Sequence, residues 1–445
     1  MKKILITLLI IIILGIGAFY IFSHFQGTNG SQGILKLQAY PFESTVKINN
    51  KNYQNEQGVF NIALPSGTYK LLLSYPEYSF IEEEVTIESG KTLDLGTLFL
   101  FPTNWQRKNI IASKNIERFY LTPDTNRIIY IEKGSKYNWY LFNRSAQEEK
   151  GELFWETPSL PQEVILSSKK IIVNLGKNNW QIVFLPKSLI QNSISLTNTF
   201  KESLANAGLK QGTTSLEIIQ VNFYSKAGGS LDDSLIVKTN DAIYLFNFLT
   251  GDIEKIYEGA TSPFILDENY IYFLKDNGVL TKISLETKQK QQISLYSFGT
   301  ENLEQTKIRK RKNSDEFLII EGHQKVSYLK SPESMPFLIG DDVLEGAFSL
   351  DEKEILLNLK DKVEIYNTEK DVKFAEKLYA DIPAVWFLDN NHLLFLKEKS
   401  LNIFLVRKNK IWPMANNVKN NNFFYDPTIN YVFYLSDEGI MRTNI

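Results

Sequence analysis

From about residue 119 onward the chain repeats one phrase: an apolar lead, an Asp-centred polar turn, a run of consecutive apolar residues, a second polar turn and another apolar run. The stretch 348–367, FSLDEKEILLNLKDKVEIYN, contains every part. Short runs rich in Ile, Val, Leu, Tyr and Phe between polar turns predict β-strands. Pairs of them fall at 127–132 with 138–142, 171–175 with 180–185, 234–238 with 242–246, and 269–274 with 279–284. The remaining pairs are 316–320 with 325–329, 354–359 with 363–367, 391–396 with 401–406, and 430–435 with 440–444. Six of these eight pairs follow a turn carrying an aspartate: Asp124, Asp267, Asp315, Asp351, Asp389 and Asp426.

A period near 40 residues with paired strands and no helical spacing predicts a β-propeller. The roughly 340 residues after Pro102 and Thr103 give eight blades of about 43 residues each. Seven blades would need about 49 each and would make one pair an insertion, so the count favours eight. The stretch 186–233 departs from the repeat: 199–209 has helical spacing and 216–224 reads as a strand. A strand around Asn109, Ile110 and Ile111 is expected to complete the last blade, closing the ring with both ends of the domain. The turn Leu121-Thr122-Pro123-Asp124-Thr125-Asn126-Arg127-Ile128 resembles the Ser-Pro-Asp-Gly turn of TolB-like propellers, whereas the signatures of WD40 and kelch repeats are absent. The six aspartates fit a local role, accepting backbone N–H bonds and fixing the approach to the next strand. Trp139, Trp155, Trp180, Trp386 and Trp412 fit packing between blades better than ligand platforms.

Ahead of the repeat, 34–101 carries strands of another kind, in which apolar and polar residues alternate. They include 34–37, 46–48, 59–64 and 68–74, with a last pair at 84–87 and 92–99 around the turn Glu88-Ser89-Gly90-Lys91. Several short strands at this spacing predict a small β-sandwich. Gly33-Ile34-Leu35-Lys36-Leu37, Pro41, Val46-Lys47-Ile48 and Leu64-Pro65-Ser66-Gly67-Thr68-Tyr69-Lys70-Leu71 resemble the PEGA domain, a β-module of prokaryotic surface proteins. The name-giving tetrapeptide is replaced by Pro41-Phe42-Glu43-Ser44. The resemblance implies a surface-exposed adhesion or spacer module without catalysis.

The N-terminus has a third pattern. Lys2 and Lys3 precede an uncharged, predominantly apolar run from Ile4 to Phe22, and no Lys or Arg returns until Lys36. As a helix that run would span roughly 29 Å, the thickness of a bilayer core. The charge asymmetry predicts a single-pass anchor with a cytoplasmic N-terminus and the rest outside; a cleaved signal peptide is the competing reading. The linker 24–33 is short, polar and Gly-rich, and holds His24. The expected fold class is all-β, with one N-terminal transmembrane helix, a PEGA-like β-sandwich at 34–101 and a β-propeller at 102–445.

Composition narrows the chemistry. With 445 residues, 43% apolar and 22% charged, the chain has the make-up of an ordinary globular protein. A formal net charge of −2 gives no global pull towards nucleic acid. The absence of cysteine excludes disulfides, thiolate metal sites and cysteine nucleophiles. The three histidines, His24, His323 and His392, are far apart in sequence, and no P-loop, zincin or Gly-x-Ser-x-Gly motif is present. Asp232-Asp233 and Asp341-Asp342 offer oxygen ligands for Ca²⁺ but no EF-hand loop, and read better as solvated turns. Asn143-Arg144-Ser145 is a formal glycosylation sequon. The one strong charge run is Lys307, Arg309, Lys310, Arg311 and Lys312, either a polyanion-binding loop or, the blander reading, a solvated turn between blades. The expected function is an extracytoplasmic binding or scaffold protein whose propeller meets an envelope protein or glycan. The alternative is an envelope hydrolase with channel carboxylates. No catalytic residue, cofactor, metal ligand, specific nucleic acid or small-molecule substrate is assigned.

Overall fold

A computed structural model describes residues 32–145, 150–185, 193–209, 216–224, 233–322 and 324–444. The chain divides into two compact units, one ending at Gln106 and the other formed by Arg107–Asn444. Strand is the dominant element in both. No helix among the described residues is long and apolar enough to cross a membrane. The expected anchor at 4–22, together with His24 and His323, lies outside the described residues.

The smaller unit has two sheets, and its sequence alternates because each strand has one face on the core. In Gln32–Tyr40 the buried positions are Gly33, Leu35, Leu37 and Ala39, and the residues between them are exposed. One sheet places Gln32–Tyr40 between Val59–Pro65, antiparallel, and Thr92–Phe99, parallel. The other runs in the order Lys51–Gln54, Thr45–Ile48, Gly67–Ser74, Ile81–Ile87. Leu35, Leu37, Val46, Leu71, Leu73 and Ile87 form its core. The expected pairing of the last two strands is not what forms. The turn at Gly90 carries the chain from one sheet to the other, and Thr92–Phe99 pairs instead in parallel with the first strand.

Among the described residues the larger unit contains eight four-stranded antiparallel sheets in chain order. Sheet 1 covers residues 116–157, sheet 2 163–195, sheet 3 218–258 and sheet 4 265–297. Sheets 5, 6 and 7 cover 307–340, 345–377 and 385–415. Sheet 8 takes three strands from 418–444 and its fourth from Arg107–Ala112 at the start of the unit, which pairs with Gly439–Asn444. Gly439 makes this closure sterically possible: at φ +126° its Cα lies so near the incoming strand that a Cβ would meet the Ile111 carbonyl at 2.0 Å. One α-helix, α1 (Leu196–Asn206), follows sheet 2 among the described residues and is capped by the Ser195 hydroxyl.

Every one of the eight predicted strand pairs is the middle pair of a sheet. Phe317–Ile320 and Val326–Leu329 are buried at every position, because each middle strand has a neighbouring sheet on both faces. This is why those segments read as continuous apolar runs. The fourth strands lie at the rim and are partly exposed, as in Val372–Lys377. First strands touch one another between sheets 8 and 1 and between sheets 4 and 5, which puts them on the inside.

Each seam between sheets is apolar with polar stitches. Trp139 packs with Ile171 and Val173 across seam 1–2, and Trp180 with Ile218 and Val237 across seam 2–3. Trp386 packs with Leu356 and Ile365 across seam 6–7. Phe119, Ile128 and Tyr130 meet Phe433 and Leu435, so sheet 8 closes onto sheet 1. Four seams also carry a side-chain amide that pairs with a neighbouring backbone as another strand would. Gln220 bonds both the carbonyl (2.8 Å) and the N–H (2.8 Å) of Phe264. Asn358 does the same to Ala384 and Asn422 to Phe119, while Asn178 bridges the Leu216 carbonyl and the Ile218 N–H.

Candidate functional site

The cationic run is mostly a strand rather than a loop. Lys307–Lys310 is the first strand of sheet 5, and its charges face acids on both neighbouring sheets. Lys307 Nζ lies 2.5 Å and Arg309 3.3 Å from the Glu345 carboxylate of sheet 6. Lys310 pairs at 2.8 Å with Asp267 of sheet 4. Arg311 grips both oxygens of Glu316 at 2.8 Å, and Tyr328 donates its hydroxyl to the same carboxylate. The Lys312 backbone N–H donates to Glu352. Four of the five cations thus have an acid partner, which leaves a local field far weaker than the sequence suggests. A polyanion would have to compete with these pairs. In the fold the run supplies ionic stitching to seams 4–5 and 5–6.

The turn aspartates fall into two groups. Asp124, Asp351, Asp389 and Asp426 each accept the N–H two residues on, from Asn126, Lys353, Asn391 and Thr428. Three also accept a hydroxyl, from Thr122, Ser349 and Thr428 respectively. Burial opposes ionisation of Asp124 and Asp351, yet these hydrogen bonds outweigh it and hold both carboxyls below the usual aspartate value. The other two differ. Ser314 rather than Asp315 accepts the turn N–H, from Glu316, and Asp267 serves the ion pair with Lys310. The structure therefore spreads the six around the ring instead of gathering them into one site.

His392 is buried and bonds Asp389 at 2.7 Å, tying its own turn. Asp233 pairs at 2.5 Å with the buried Lys170, Asp232 lies outside the described residues, and Asp341 and Asp342 are exposed in a turn. Among the described residues no three His, Asp or Glu side chains come together to hold a metal. Glu163, on the first strand of sheet 2, has an exposed side chain, and desolvation by the surrounding protein raises its carboxyl with no neighbouring charge contributing. A glycosidase needs two carboxyls roughly 5–10 Å apart, which would act on each other electrostatically.

Three features have no counterpart in the sequence reading. Lys238 is 1% exposed inside sheet 3, and its ammonium donates to the Thr239 carbonyl at 3.3 Å; burial pushes its pKa down, opposed by Glu304. The rim of sheets 4 and 5 exposes Leu295, Tyr296, Met335, Phe337 and Leu338. In the smaller unit an open groove of about 650 Å³ is lined by Asn49, Thr68, Tyr69, Lys70, Glu82, Glu83 and Glu84. A lysine inside an apolar run was a visible signal for the first, whereas the other two depend on which strand lies at an edge.

No family model matches the chain, and no curated protein matches it. Solved structures resemble it at low identity. The computationally designed Ika8 protein aligns at 10% identity over 76% of this chain and 100% of that one, with a TM-score of 0.47. A eukaryotic initiation factor aligns at 12% identity over 75% of this chain and 90% of that one, with a TM-score of 0.48. PorZ, a bacterial surface component of the type-IX secretion system of Porphyromonas gingivalis, aligns at 11% identity over 63% of this chain and 36% of its own length, with a TM-score of 0.37. What stands on the chain itself is an all-β architecture of many four-stranded antiparallel sheets, compatible with a propeller-like fold.

Proposed function

We propose that the chain is a membrane-anchored, extracytoplasmic binding or scaffold protein. In this reading the eight sheets are the blades of a TolB-like β-propeller, residues 34–101 are a PEGA-like spacer, and residues 4–22 are the anchor. The observation that supports it most is the closure of sheet 8 by Arg107–Ala112, which ties both ends of the unit into one sheet. A closed ring holds the turns of every sheet in fixed positions, a frame suited to contacting a protein or glycan partner. The charge asymmetry around 4–22 supports the exterior placement.

A capture experiment tests the binding role. The full chain and a fragment ending at residue 101 are used as baits in envelope extracts. A specific partner retained by the full chain alone places recognition on the ring; retention by the fragment moves it to the smaller unit, and no specific partner for either removes the binding role. Protease added to intact cells tests orientation separately: residues 34–445 should be digested, and their survival beside a digested control rejects the exterior placement.

A further inference from the structure

We propose that Asn143 is an acceptor for an N-linked glycan, an inference that rests on the exterior placement of the ring. Asn143 ends the third strand of sheet 1 and is exposed, and the sequon Asn143-Arg144-Ser145 forms the turn that follows. Its Oδ1 accepts both the Ser145 N–H (3.1 Å) and the Ser145 hydroxyl (2.8 Å). Both donors act on the amide oxygen, which leaves Nδ2 as the group for transfer. The middle residue points the other way: the Arg144 guanidinium donates to the Thr125 carbonyl, lies over the Phe433 ring and faces Asp426 across seam 8–1. A sugar on Asn143 would stand in solvent while Arg144 keeps the turn on the ring. In the transfer, Asn143 Nδ2 forms a bond to C1 of a polyprenyl-pyrophosphate-linked oligosaccharide. The bond from C1 to the pyrophosphate oxygen breaks, the polyprenyl pyrophosphate leaves with the electron pair, and the nitrogen gives up a proton to a base of the transferase.

The test is synthesis of the full chain with glycosylating microsomes. Asn29→Gln removes the other sequon, Asn29-Gly30-Ser31, and an added C-terminal Asn-Gly-Thr tail reports orientation. The proposal expects two glycan-sized mobility steps, one of them lost with Asn143→Gln or Ser145→Ala and kept with Ser145→Thr. A modified tail beside an unmodified Asn143 overturns the proposal and leaves the exterior placement standing. If neither site is modified, the exterior placement and the proposal fall together. A second step that survives Asn143→Gln overturns the proposal as well.

Discussion

Asp351 and Asp315 hold the same place in the repeated phrase and do different things. Asp351 accepts the Lys353 N–H and the Ser349 hydroxyl, while beside Asp315 it is Ser314 that takes the turn bond. Asp351→Ala should therefore cost about 1–2 kcal/mol in urea denaturation at neutral pH, and Asp315→Ala no more than about 0.5 kcal/mol. Because the folded Asp351 carboxyl sits below its usual value, its contribution is complete above the ordinary aspartate range. It is lost as pH falls through the folded value, so the Asp351→Ala deficit should shrink in acid. Lys238 carries the opposite sign. Its ammonium is buried and its pKa is lowered in the fold, so the unfolded chain holds the proton more firmly. Lys238→Met should raise stability by about 1 kcal/mol or more at neutral pH. That gain should narrow as pH rises from the lowered folded value towards the ordinary lysine value near 10.4. A gain that is absent, or that grows with pH, would contradict this account of Lys238.

At the scale of elements, the seams hold the ring together and the amide clamps are their testable parts. Asn358→Ala would strip the buried N–H and carbonyl of Ala384 of their partner at once. The expected loss is about 2–3 kcal/mol, against less than about 1 kcal/mol for Asn109→Ala, whose bond to the Glu438 carbonyl is exposed. Equal losses in thermal unfolding would count against the clamp. The clamps were not legible in the sequence, because Asn358 finds its partner 26 residues away on the next sheet. The middle strands were legible, since burial on both faces leaves an uninterrupted apolar run. First and fourth strands expose part of their surface and blur into the turns. The partners of the cationic run were hidden for the same reason as the clamps. Glu345, Asp267 and Glu352, which answer its charges, all lie on other sheets. The last pair of the smaller unit misled because a parallel partner leaves no local mark.

At the scale of the molecule, the claim on which the rest depends is that the larger unit is a ring closed by its own first strand. The absence of cysteine allows a direct test. Lys108 and Arg442 lie directly opposite each other in the closing pair. Opposed residues in antiparallel strands have Cα atoms about 4.5–5.5 Å apart, inside the range a disulfide spans. The measurement is the extent of cross-linking, under mild oxidation of the folded protein, in the Lys108→Cys, Arg442→Cys variant. Lys108→Cys with Glu369→Cys, on sheet 6, serves as the mismatched control. The account predicts near-complete cross-linking in the first variant and little in the second, with the bond raising stability by up to about 5 kcal/mol through the very long loop it closes. Free thiols persisting at 108 and 442 in a folded chain, or equal cross-linking in both variants, would contradict closure of the ring.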